Sequence, residues 1–253
     1  MDLTKEAYMK LIRTVTLSIA LCMFGAAFAM PPKGGTAMIG EYSALATTGC
    51  GRSEAPLVSP DGKLKLTRST DAAGVRHWQA ETAAGTRSLE THAWPCPEFL
   101  WAPDSSALAV TYREGANAGY SHMGLYRFGP DARGPIDVTA AAEADFAGHH
   151  LRCPAKEAPN FAAVAWLDGA SRLLVAAQVP PHSDCDDRGS FVLYEVSVQD
   201  GKILAKYGQL EAKRRFGGKL GSELRRADDR CITQPGSCHP PYAPEKGDGV
   251  HKT

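Results

Sequence analysis

Tyr120, His122, His149, His150, His182 and Asp184 are the side chains of this sequence best suited to binding. Imidazoles exchange protons near neutral pH and ligate metals, and a phenol joins an apolar ring to a polar tip. Their spacing nevertheless fits no defined chemistry. Neighbouring His149 and His150 point differently on a helix, and neither HExxH nor another short zinc spacing is present. Asp184, Asp186, Gly189 and Glu195 follow the spacing of a calcium loop. Arg188 then holds a ligand position, where its cation repels calcium, and the flanks read as strands. Gly119-Tyr120-Ser121-His122-Met123-Gly124 is one residue too long for a nucleophile elbow and runs from loop into strand. No glycine-rich phosphate loop opens a helix. Trp101 and Trp166 read as core before they read as sugar platforms. The expectation is no catalytic residue, no metal and no cofactor, with the six side chains above as a binding surface.

The elements that carry these residues are strands. Ala55–Leu66, Glu98–Val110 and Ala163–Val175 share one form: a short apolar run, a tight turn on Asp, then a second apolar run. Asp suits such turns because its carboxylate bonds back to the turn backbone, and Gly suits them because it tolerates positive φ. A hairpin follows each copy: Val75–Thr91, Met123–Thr139 and Phe191–Tyr207, the last around Asp200-Gly201 between alternating runs. The fold expected is all-β, with three consecutive four-stranded antiparallel meanders over about 55–92, 98–139 and 161–207.

Ser59-Pro60-Asp61-Gly62 and Trp101-Ala102-Pro103-Asp104-Ser105 resemble the repeat of TolB-type and related WD-repeat β-propellers, in which such a turn joins the two inner strands of a blade. The resemblance implies a propeller-like scaffold and no activity. The third copy departs from it, with Leu167 where Pro is expected. Closed propellers use about 4–8 blades, so three meanders imply an open assembly or a ring completed by another chain. A β-sandwich is the architectural alternative. Between the second and third meander, Ala140–Phe146 reads as a short helix with Thr139 as N-cap and Gly148 as its stop. Residues 30–210 form the β domain on this reading. Residues 211–253 form a loop-rich tail with a short basic helix around Ser222–Asp228.

In an up-down meander, the first strand's start and the link from second to third strand share one end. That end gathers Cys50, Cys96, Cys153 and Cys185, and predicts Cys153–Cys185 with Cys50–Cys96 by elimination. Cys231 and Cys238 close the tail locally, one arrangement among fifteen for six cysteines. The same end carries the long segments Ser69–Gly74, Glu114–Ser121, 140–160 and Val179–Gly189, and with them the six candidate binding residues.

The chain begins with an export signal: Lys10 and Arg13, an apolar run, and Ala27-Phe28-Ala29 as a cleavage site. The run is too short for a permanent span, so residues 1–29 are expected to be removed, from a start at Met1 or Met9. The mature chain, 30–253, then carries 25 basic and 26 acidic side chains, a net −1. That balance argues against nucleic acid as a partner and gives no electrostatic reason to bind anionic membranes. An even cysteine count in an oxidising compartment reads as disulfides. The functional expectation is a periplasmic or secreted binding protein, contacting a protein or cell-envelope component through its long loops. The alternatives are an envelope hydrolase assembled only in three dimensions and a structural subunit that oligomerises to complete a propeller.

Overall fold

The computed structural model describes residues 40–49, 57–83, 85–89, 91, 96–114, 120–129, 136–149 and 157–234. The chain divides into Met1–Gly35 and Thr36–Thr253, and everything described belongs to the second unit. The leader, His150, Cys50, Cys153, Cys238 and Trp94 lie outside the described residues. Among the described residues, no helix is long and apolar enough to cross a membrane.

Among the described residues, twelve strands form three four-stranded antiparallel sheets. Sheet 1 is the meander β2 (Leu57–Val58), β3 (Lys65–Thr70), β4 (Arg76–Thr82) and β5 (Gly85–Leu89). Sheet 3 is the meander β9 (Asn160–Leu167), β10 (Arg172–Gln178), β11 (Phe191–Ser197) and β12 (Ile203–Gly208). Sheet 2 has the order β1-β6-β7-β8, from β1 (Thr47–Thr48), β6 (Glu98–Trp101), β7 (Ala107–Arg113) and β8 (Ser121–Arg127).

The expected fourth strand of sheet 2, Ile136–Thr139, is reduced to a single bridge between Ile136 and Leu125. The cause is Asp137. Its Oδ1 accepts the backbone N–H groups of Thr139 at 2.9 Å and Ala140 at 3.0 Å, turning the chain into helix α1 (Ala140–His149). The Thr139 hydroxyl, expected to accept a helix N–H, instead donates to the same oxygen at 2.9 Å. β1 takes the fourth place on the other edge, pairing Thr47 with Phe99 and Thr48 with Glu98.

The sheets stack in sequence order, because each buries the side chains that its neighbours leave bare. Leu66, Trp78, Ala80 and Leu89 of sheet 1 meet Phe99, Leu108, Val110, Tyr112 and Tyr126 of sheet 2. The other face of sheet 2, with Leu100, Ala109 and Leu125, meets Phe161, Ala163, Trp166, Val175 and Tyr194 of sheet 3, joined by Phe146 of α1. Sheet 3 has a second apolar face, and over residues 211–234 the expected loop-rich tail with one short helix is corrected to three helices. Helices α2 (Gln209–Phe216) and α3 (Ser222–Arg226) cover that face, and α4 (Arg230–Thr233) follows. Ala212, Phe216, Leu220 and Leu224, four residues apart, pack on Val164, Leu174, Ala176 and Leu193. α2 continues from β12 and crosses the expected boundary at residue 210.

The first two of the repeated turns are equivalent in detail, whereas the third is a 3-10 turn over Asp168–Ala170. In the first, Gly62 N–H donates to Ser59 O at 2.9 Å; in the second, Ser105 N–H donates to Ala102 O at 2.9 Å. Gly62 has φ 75° and Ser105 has φ 62°. Ser105 tolerates this left-handed geometry while its Oγ accepts the N–H of Asp61 at 3.0 Å, tying turn to turn. Ser105→Ala is expected to lose that bond and keep the strain, whereas Ser105→Gly loses the bond and relieves the strain. Urea melts should show the alanine variant about 1 kcal/mol less stable than the glycine variant. Equal stabilities would show that Ser105 is unstrained.

Candidate binding end

Register places the candidate binding end. Asn160 pairs with Gln178, and Ser121 N–H donates to the Asn160 side chain at 2.9 Å. The starts of β8 and β9 and the end of β10 therefore share one end with the 179–190 loop. The 102–106 turn of sheet 2 and the 168–171 turn of sheet 3 lie at the other end, where Trp166 Nε1 donates to Leu100 O at 3.0 Å. Of the expected long loops, Ser69–Gly74 is corrected: Ser69 and Thr70 belong to β3, and Asp71 closes a short turn by accepting the Ala73 and Val75 N–H groups, each at 2.9 Å.

Tyr120 and His122 stand at the entry to β8. Tyr120 is 38% exposed. His122 pairs with Tyr112, its ring centroid 5.8 Å from that tyrosine's, and Nε2 lies 3.6 Å from Glu114 Oε2. His182 and Asp184 are exposed on the 179–190 loop. This loop is held by its own backbone: Val179 N–H donates to Ser190 O and Gly189 N–H to Val179 O, both at 2.9 Å. Gln178 Nε2 adds a bond to Gly189 O at 3.1 Å. His149 ends α1. The structure thus groups Tyr120 with His122 and, separately, His182 with Asp184. The calcium-like spacing is broken up, since Glu195 turns to Arg172 and receives the Tyr207 hydroxyl at 2.9 Å.

Beneath this end lies a polar network absent from the sequence-based expectation. Tyr42 Oη and Ser121 Oγ are 2.9 Å apart, Asn160 Nδ2 reaches Tyr42 Oη at 3.4 Å, and Arg113 Nε donates to Ser121 Oγ at 3.3 Å. Arg113 also pairs with Glu41 at 2.5 Å. Burial raises the Tyr42 hydroxyl's pKa, keeping it protonated. Burial alone would lower Arg113, but Tyr42 and Glu41 beside it hold it above its ordinary value. Ser121 is fully buried, so its hydroxyl positions strands rather than meeting a substrate.

A strap of residues 40–44 organises the network. Glu98, at the start of β6, accepts the backbone N–H of Glu41, that of Tyr42 at 3.1 Å and that of Ser43 at 3.2 Å. The strap's carbonyls face the other way. Gly40, Glu41 and Tyr42 O accept the N–H groups of Ser222, Glu223 and Gly221 at 3.1, 2.7 and 2.8 Å, satisfying the start of α3. Burial pushes the Glu98 carboxyl up to about 7, against the pull of the three N–H donors.

No protein-family profile, curated protein or solved structure matches this chain. Among the described residues, no three His, Cys, Asp or Glu side chains converge as a metal site would require. Cys96, Cys185 and Cys231 are disulfide-bonded. Cys185 is buried at the foot of the loop that carries Asp184, and Cys231 Sγ lies 3.9 Å from Arg188 O of the same loop.

Proposed function

We propose that this chain is an exported binding protein of the cell envelope, without catalytic activity, that holds a protein partner at the end carrying Tyr120, His122, His182 and Asp184. The observation that carries the reading is a hydrogen-bonded floor under exposed aromatic and polar side chains. Tyr42, Ser121, Asn160 and Arg113 fix the strand starts from which those residues project. Rigid support lowers the entropic cost of binding, and loops on rigid scaffolds are where recognition sits. The disulfide-bonded state of the described cysteines suits an oxidising compartment.

The layers are best read as propeller-like blades arrested at three. The outer face of sheet 1 is polar, with Lys65, Ser69, His77, Glu81, Thr86 and Ser88 exposed, and helices cover the outer face of sheet 3. Neither terminal face offers the apolar surface a further blade would need. That weighs against ring closure by oligomerisation.

Immobilised wild-type protein should retain a discrete partner from envelope extract. Tyr120→Ala with His122→Ala should weaken retention by about tenfold or more, as removal of an aromatic anchor does. Undiminished retention by the double variant rejects this end as the binding surface. Turnover on a hydrolase panel, lost on replacing one histidine, rejects the non-catalytic reading.

A further inference from the structure

The helical layer over sheet 3 differs in charge from the rest of the chain. Residues 209–234 carry seven Lys and Arg against four Asp and Glu, a net +3, within a mature chain expected at −1. Lys213 is consumed internally, donating to Ala227 O and to Asp229 Oδ1, which ties α2 to the link between α3 and α4. Arg215 pairs with Glu211 at 3.3 Å and lies over the rings of Tyr207 and Phe216. Arg226 pairs with Glu223 at 3.3 Å, and Arg230 pairs with Asp228 at 2.7 Å. Arg214 and Arg225 are exposed, and among the described residues neither makes an ion pair.

Apolar side chains share this surface. Gln209, Ala212 and Phe216 turn α2's buried stripe inward, leaving Leu210 47% exposed one turn before Arg214. On α4, Ile232 is 40% exposed, with Arg230 exposed nearby. Uncompensated guanidinium groups on helices that also expose aliphatic side chains, with Leu210 one turn from Arg214, match a surface that is anionic outside and apolar beneath. We propose that this helical layer docks on an anionic phospholipid surface, with Arg214 and Arg225 at the headgroups and Leu210 and Ile232 entering the acyl boundary. The near-zero charge of the whole chain conceals the match, because the remainder of the mature chain carries a net −4. The proposal uses residues other than those of the loop end and stands or falls separately from it.

Co-sedimentation of the folded mature chain with vesicles tests it. The expected result is binding to vesicles containing phosphatidylglycerol, little binding to pure phosphatidylcholine, and release as ionic strength rises. Arg214→Gln with Arg225→Gln should lower partitioning by about tenfold, and Leu210→Ser should also weaken it. Tyr120→Ala should leave it unchanged. All these positions are exposed, so thermal melts should match the wild type. Equal binding to both vesicle types overturns the proposal, as does an unchanged arginine double variant. Binding to heparin without binding to vesicles also overturns it, assigning the face to a polymeric anion.

Discussion

Glu98→Ala should destabilise the protein by about 3 kcal/mol, among the largest effects of any single substitution outside the apolar core. The carboxylate is 6% exposed and accepts three consecutive backbone N–H groups of the 40–44 strap. Alanine leaves those donors buried without acceptors. Because the same strap caps α3 through its carbonyls, the loss should reach the helical layer as well. Hydrogen exchange should show faster exchange at Gly221, Ser222 and Glu223, whose N–H groups the strap carbonyls accept. Unchanged exchange at those three amides would show that the strap does not couple sheet 2 to α3.

The pH dependence has a definite sign. Burial raises Glu98 from 4.5 to about 7 in the folded chain, so between those values the folded state holds more protons than the unfolded state. Stability contributed by Glu98 is then fully present below about pH 4.5 and declines as pH rises through about 7. The gap between wild type and Glu98→Ala should therefore be widest in acid and narrow by roughly 1–3 kcal/mol by about pH 8. Urea melts of both proteins across this range measure it. A gap that widens toward alkaline pH would mean that the three N–H donors outweigh desolvation.

What the sequence revealed follows from how locally each feature is encoded. The turns at Asp61, Asp104 and Asp200 are legible because one carboxylate and one left-handed residue build each of them. Strands of sheet 3 read as unbroken apolar runs because both faces are covered, whereas β3 and β4 alternate because one face meets water. Of the helical layer, only the short helix around Ser222–Asp228 was legible, seen as Ser222–Arg226. Ala212, Phe216, Leu220 and Leu224 keep a four-residue spacing, but Gly217-Gly218 and four cations interrupt it, and only the bare face of sheet 3 makes the stripe worth burying. The strap was hidden for a different reason. Glu98 and Tyr42 are 56 residues apart, and nothing in either local sequence announces that a carboxylate will meet three amides. For the binding end, the sequence located Tyr120, His122, His182 and Asp184 at one end through topology alone. It could not find their floor, which depends on contacts between β7, β8, β9 and the strap.

Trp166→Ala should cost about 3–5 kcal/mol, and comparison with Trp101→Ala turns that loss into a test of the layered architecture. Val58, Trp101 and Trp166 hold the same place before the repeated turn. Their burial rises along the chain: Val58 is 49% exposed, Trp101 is half-buried against Phe128, and Trp166 is 8% exposed. The gradient follows the stacking. Val58 lies on the polar outer side of sheet 1, Trp101 faces sheet 1, and Trp166 is enclosed between sheets 2 and 3 with its indole N–H bound to Leu100 O. Trp166→Phe keeps most of the apolar contact but loses that bond, so it should cost about 1–2 kcal/mol. Trp101→Ala should cost less than Trp166→Ala, because its ring is already partly hydrated. Urea unfolding of the three variants gives the order directly. If Trp101→Ala proves as damaging as Trp166→Ala, the interface between sheets 1 and 2 is sealed as well as that between sheets 2 and 3, and the burial gradient does not set the energetics.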